Sequence, residues 1–266
     1  MKRLTIIILF LTTVIYANIN AIVSILPEQT FLKAIGGNKV NISLMVQMGS
    51  SPHTYEPKPS QMVDINKADI YFTIGVEFEK VWLPKFINQN KDMIIADISQ
   101  NILKTEDPHI WVSPSNVKQI VTNIYNSLVL IDKTNQSYYK DNLDKYLQKI
   151  NNLDLEIKDI LKNTPKDSYF MVFHPAWGHF AKEYNLIQLA IEIDGKQPKP
   201  KDIIKIIKQA KQHNVNAIFT APEFSSKVAL QIAKEIDIKV IKISSLNPNW
   251  SENLLKLAKG VMVDSK

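Results

Sequence analysis

From Thr134 to Asn163 the chain contains neither glycine nor proline, and the next helix breaker is Pro165. Within this stretch Tyr139, Leu143, Tyr146, Leu147, Ile150, Leu153, Ile157, Ile160 and Leu161 recur at helical spacing. At about 1.5 Å per residue such a helix is ~45 Å long, more than one small lobe is wide. It must either run as a spine shared by two lobes or pair with a copy of itself as a coiled coil. The apolar stripe lacks strict heptads, which favours the spine.

On both sides of this helix the sequence alternates. Short apolar runs at Asn20–Ile25, Ile42–Val46, Asp69–Ile74 and Met93–Ile98 read as strands. Between them lie helical segments at Glu28–Ile35, at Ser60 (as N-cap) to Ala68, and at Val81–Ile87. A further helix is opened by Ser113-Pro114, a cap followed by a preset first turn. Beyond the spine, Tyr169–Phe173, Ile187–Ile193, Ala217–Thr220 and Val240–Ile243 are expected strands. Helices are expected from Ala176 to Tyr184 with Pro175 near the first position, through Lys211, around Val228–Ile236, and at Glu252–Lys259. Repeated strand–helix units of this length predict an α/β fold: two βα lobes with mostly parallel sheets joined by one long spine helix. The expected divisions are 18–132 for the first lobe, 133–164 for the linking helix and 165–266 for the second lobe. There is no GxGxxG and no P-loop pattern, which excludes the common glycine-rich phosphate cradles.

Three of the five histidines occupy one kind of place. His53 follows Ser51-Pro52, His109 follows Asp107-Pro108, and His174 precedes Pro175-Ala176-Trp177, each in a loop after an expected strand. In open α/β sheets the crevice beyond the strand ends is where ligands bind. The chain has no cysteine, so no thiolate can serve as a ligand, and three neutral imidazoles suit zinc. Taken singly each is an ordinary loop histidine, and the residues alone leave both readings open. His179, five residues beyond His174 on a helix, is expected to point elsewhere, as a helix-surface histidine. His213 reads as a helix C-terminal residue with no further role. Glu56 and Asp107 are expected to orient neighbouring loops or accept an imidazole N–H, and Trp111 and Trp177 to form walls.

Met1-Lys2-Arg3, the apolar run Leu4–Tyr16 and Ala17 read as a secretory signal peptide over residues 1–17, too short to span a membrane. With no cysteine for a lipobox, the expectation is an exported, soluble protein of the periplasm without a lipid anchor. The formal charge of +6 comes mainly from lysines that fall beside acids along the sequence, as in Glu156-Ile157-Lys158-Asp159. That pattern predicts a solvated surface and no nucleic-acid partner.

Ser51-Pro52-His53-Thr54-Tyr55-Glu56-Pro57, Asp107-Pro108-His109-Ile110-Trp111 and His174-Pro175-Ala176-Trp177-Gly178 resemble segments of the metal-binding proteins of ABC importers, the ZnuA-type zinc-uptake branch. Ile191-Glu192-Ile193-Asp194-Gly195-Lys196 and Pro222-Glu223-Phe224-Ser225 are similar to further segments of that family. The likeness spans the whole chain after residue 17, with its motifs in family order. It implies two βα lobes joined by a long helix, with metal in the interlobe cleft. His53 and His109 would come from the first lobe and His174 from the second. The cargo would be Zn²⁺, the partner an ABC-type membrane permease, and the working unit a monomer.

Two departures bear on the site. Many zinc members carry a long His- and acid-rich loop before the second ligand, whereas this chain has only Asn101-Ile102-Leu103-Lys104-Thr105-Glu106. Several relatives supply an aspartate before the last helix, where this chain reads Leu246-Asn247-Pro248. The fourth position is therefore expected to hold water, Asn247 or another small group. The rival readings are a Mn²⁺ or Fe²⁺ carrier of the same fold and a three-histidine zinc hydrolase. Against the hydrolase, HExxH is absent and no carboxylate has an evident general-base position.

Overall fold

The computed structural model describes residues 18–262, apart from Lys104 and Asp194. The leader expected over residues 1–17 lies outside them. The first lobe runs β1 (Ile19–Val23), α1 (Leu26–Gly36), β2 (Val40–Leu44), α2 (Pro59–Lys67), β3 (Ile70–Thr73), α3 (Glu77–Gln89), β4 (Ile94–Asp97) and α4 (Pro114–Ile131). After α5 (Gln136–Leu161) the second lobe runs β5 (Ser168–Val172), α6 (Gly178–Glu183), β6 (Leu186–Ala190), α7 (Pro200–Gln212), β7 (Ala217–Thr220), α8 (Lys227–Ile236), β8 (Lys239–Lys242) and α9 (Trp250–Val261). The sheets have the orders β2-β1-β3-β4 and β6-β5-β7-β8, and every strand pairing in them is parallel. The inner strands β3 and β7 are buried along their whole length, as parallel strands covered on both faces must be. Edge strand β8 instead begins and ends on exposed lysines, Lys239 and Lys242, which blunt it against further pairing.

α5 is the spine. Its 26 residues span ~39 Å, and it buries Tyr139, Leu143, Ile150, Leu153, Ile157 and Leu161 against the chain's own elements. It packs on α1 and α4 of the first lobe and on α9 of the second. Asn142 donates to Ile35 O at 2.9 Å on one side, and Asp154 accepts the Tyr184 hydroxyl at 3.0 Å on the other. The stripe is thus used up internally, and a coiled-coil partner is not needed to cover it. One apolar core runs through both lobes, from Phe31 and Tyr71 to Phe219 and Leu257. A second, smaller core lies on the outer face of the second sheet, beneath α7 and α8.

Some local expectations are corrected. Lys58, not Ser60, is the N-cap of α2, because Pro59 takes the first helical position with its preset φ. α3 starts at Glu77 rather than Val81 and continues through Pro84. After β5 the helix opens at Gly178, not Ala176, so His174–Trp177 remain as a turn, closed by Ala176 N donating to His174 O at 2.8 Å.

The lobes are tied by more than the spine. Glu183 on α6 accepts the Ser113 and Ser115 hydroxyls and Ser115 N at the start of α4. Trp111 donates its indole N–H to Ser245 O at 2.8 Å, and Trp250 donates to Trp111 O at 2.7 Å. With a shared core and an unbroken helix between them, wide hinge opening would break many of these bonds. Solution scattering should accordingly give nearly the same radius of gyration with and without zinc. A change of several ångströms would contradict the spine.

Candidate metal centre

Apart from Phe219 and Thr220 at the end of β7, the groups around the interlobe cleft come from chain segments that follow strands. His53 lies after β2, Glu77 after β3, Asp107 and His109 after β4, His174 after β5, Glu192 after β6 and Phe224 after β7. The parallel topology points all these ends the same way, so residues far apart in sequence meet at one crevice. Glu79 fixes one of the turns by accepting Ile74 N at 3.0 Å and Gly75 N at 2.8 Å. Gly75 there has φ +97°, which favours glycine, and the turn delivers Glu77 to the cleft.

His53, His109 and His174 converge. Their ligand atoms all lie within 4.8 Å of one another, and His53 Nε2 is 3.4 Å from His174 Nε2. Nitrogens ~2.0–2.1 Å from a tetrahedral zinc are ~3.4 Å apart, so one edge already has the required length. Each ring turns its other nitrogen to a carboxylate. His53 Nδ1 lies 2.7 Å from Glu77, His109 Nδ1 donates to Asp107 Oδ1 at 2.7 Å, and His174 Nδ1 donates to Glu192. A carboxylate at Nδ1 holds the proton there and leaves the Nε2 lone pair free toward the centre.

Burial sets the electrostatics. Desolvation holds His174 below the ordinary histidine value, helped by the nearby His109 and His53 rings and opposed by Glu192. His174 is therefore ready as a neutral donor at lower pH than an exposed histidine. Burial alone would raise Asp107, but its bonds from His109 and the charges of His109 and His179 bring it below the usual carboxylate range. Phe224 stacks on His174 with centroids 4.5 Å apart, and Trp111 meets His109 edge-on at 5.2 Å. Trp111 and Trp177 both wall the cavity, as their sequence setting suggests. The cavity volume is about 30 Å³, room for an ion with a water or two.

The remaining expected residues fall elsewhere. Glu56 is exposed, and Glu77 takes the position beside His53 instead. His179 is half-buried rather than a surface residue. It donates from Nε2 to Asp107 O at 3.0 Å and accepts from Asn116 at Nδ1, pinning the Asp107 segment across the lobe boundary. Gly178 matters beside it, since a Cβ there would stand 2.5 Å from Asp107 Oδ2. His213 caps α7 and stacks on Tyr169, outside the cluster. Asn247 is turned into its own loop, accepting Asn249 N at 2.9 Å, and the cavity is lined there by Ser245 and Leu246. The amide is not placed as a fourth donor, so Asn247→Asp is not expected to change metal preference. Among the described residues only the three histidines make up the group of converging ligand atoms.

Residues 22–259 match the model of the family described as ZnuA, zinc-uptake complex component A, periplasmic. The chain belongs to the ZnuA family. Members are metal-binding substrate proteins of ABC importers, not enzymes. Among relatives of this ZnuA-family chain, the high-affinity zinc uptake system protein ZnuA of Bacillus subtilis (strain 168) is 29% identical over 252 residues, covering 86% of this chain and 78% of that one. The manganese ABC transporter substrate-binding lipoprotein PsaA of Streptococcus pneumoniae is 27% identical over 239 residues, covering 82% and 76%. A crystal structure of ZnuA superposes with a TM-score of 0.88 at 38% identity, covering 92% of this chain and 98% of that one. The ZnuA-family fold thus accompanies both zinc-named and manganese-named relatives, and the donor set must decide between the metals.

Proposed function

We propose that this protein captures Zn²⁺ in the periplasm through His53, His109 and His174 and delivers it, as a monomer, to an ABC-type membrane permease. The observation that carries this reading is the convergence of three imidazoles, each backed by its own carboxylate, at the cleft between the lobes. Borderline-soft Zn²⁺ accepts three nitrogens and one small ligand, here water, whereas Mn²⁺ favours more oxygen donors. Membership of a family described as periplasmic zinc-uptake components supports the same cargo and compartment.

The three donors are not equally held. The His53 side chain is 34% exposed, against 10% for His109 and 13% for His174. His109 and His174 form the fixed wall of the site, and the loop carrying His53 closes over the ion and lets go of it. Release thus needs local movement and a small tilt of the second lobe rather than wide opening.

The test is a zinc titration of the protein prepared without chelator or affinity tag. One ion per chain is expected. The donors bind as neutral imidazoles of reference pKa near 6.5, so affinity should fall steeply as pH drops from about 7 to 5. A flat profile over that range would contradict a histidine site.

A further inference from the structure

Elsewhere along the chain the lysines fall beside acids, but one group of them does not. The segments 196–211 and 227–236 together hold eight lysines, Lys196, Lys199, Lys201, Lys205, Lys208, Lys211, Lys227 and Lys234, against the carboxylates Asp202 and Glu235. Their excess of six equals the formal charge of the whole chain, so the rest of the molecule is balanced. α7 and α8 lie side by side on the outer face of the second sheet and bury Ile206, Ala210, Ala229, Ile232 and Ala233 beneath them. Helical spacing then turns Lys201, Ile204, Lys205 and Lys208 outward on α7, and Lys227, Leu230 and Lys234 outward on α8. Ile204 and Leu230 are 70% and 54% exposed, each set among lysines.

On the spine some lysines are paired: Lys140 and Lys158 on α5 and Lys162 just past its end each meet a carboxylate three or four residues away, at 2.6–2.9 Å, while Lys145 and Lys149 do not. Among the described residues no carboxylate lies within 4.0 Å of a lysine ammonium on α7 or α8, and Asp202 is occupied by Lys199 N at 3.1 Å. Unneutralised lysines with aliphatic side chains between them are the composition of a helix face that rests on a lipid interface. Their long stems let the ammonium groups reach phosphate while Ile204 and Leu230 dip toward the acyl boundary. The face contains no arginine, the residue suited to bidentate phosphate recognition in nucleic acids. No helix among the described residues is long and apolar enough to cross a membrane.

We infer that the α7–α8 face docks the protein on an anionic phospholipid surface. Docking would confine the carrier to the plane of a membrane, and it does not depend on which metal the cleft holds. The test is flotation of the whole protein, with and without zinc, on vesicles of phosphatidylcholine alone and of phosphatidylcholine with phosphatidylglycerol, two to one. Binding is expected only to the anionic vesicles, and it should be released by high salt. Lys201→Glu/Lys205→Glu/Lys208→Glu should weaken it by about tenfold or more. Reversal of three exposed lysines elsewhere, Lys91→Glu/Lys145→Glu/Lys149→Glu, should weaken it far less. Ile204→Ser/Leu230→Ser, with the charges intact, should weaken it measurably. Thermal melts of each variant separate a folding defect from lost docking. Equal flotation on both vesicle types, no flotation on either, or equal loss in the two lysine variants would overturn the inference. Since flotation is read with and without zinc, failure of the metal assignment would leave this result standing.

Discussion

His174→Ala is expected to lower zinc affinity by more than the ~10–100-fold that follows loss of a carboxylate partner such as Glu192. The imidazole is one of the three proposed donors and the only one from the second lobe, so its removal would leave two of them on one side of an open cleft. It also strips Glu192 of its partner and Phe224 of the ring it stacks on. His109→Ala should cost a similar amount, because His109 is equally buried and held by Asp107. Glu192→Gln is the comparison. It keeps the donor nitrogen but removes the charge that fixes the ring, so its loss should stay within ~10–100-fold. His213→Ala should leave zinc binding unchanged, since that ring stacks on Tyr169 away from the cleft. Calorimetry with a competing chelator measures all four. A His174→Ala protein that bound zinc at wild-type strength would remove His174 from the site.

The largest stability effect is expected at Trp250→Ala. This indole is 4% exposed, meets Phe31 edge-on at 5.4 Å and donates to Trp111 O at 2.7 Å. Truncation opens a cavity where α9 joins the shared core, at a cost of ~3–5 kcal/mol. It also leaves the Trp111 carbonyl without that donor, which adds ~1–3 kcal/mol if the group stays dry. Against a typical total of ~5–15 kcal/mol, this is a large share. Trp111 holds Ser245 across the lobe boundary and lies two residues from His109, so damage here reaches the metal site. Trp250→Phe should be milder, losing the hydrogen bond but keeping most of the ring. Urea unfolding gives both values, and a loss below ~1 kcal/mol in Trp250→Ala would contradict the role of this contact.

What the sequence carried well was periodicity. The Gly- and Pro-free stretch becomes α5, and the alternating runs become two four-stranded parallel sheets, because both depend on local spacing that survives folding. The post-strand placement of His53, His109 and His174 was equally local. What it could not carry was pairing. Glu77 and Glu192 face His53 and His174 across 24 and 18 residues, and only the shared direction of the strand ends brings them together. A signal existed, since both follow strands as the histidines do, yet it did not separate them from Glu56, which also sits near His53 but points to solvent. His179 looked like a surface residue because its partners, Asp107 O and Asn116, belong to the other lobe. The sequence left open whether Asn247 reaches the fourth position, because its partners Asn249 and Asn253, near neighbours that turn its amide inward to its own loop, leave no signature in the sequence. The lysine excess of α7 and α8 is already present in the sequence, but which of those charges share an outer face is decided by helix layering.

The central claim is that three imidazoles with no protein carboxylate among the donors select zinc. Direct competition tests it most simply: metal-free protein is equilibrated with equal Zn²⁺ and Mn²⁺, and the bound metal is counted. Zn²⁺ should fill the site at one ion per chain, and excess Mn²⁺ should not displace it. Retention of Mn²⁺ in preference to Zn²⁺ would contradict the assignment.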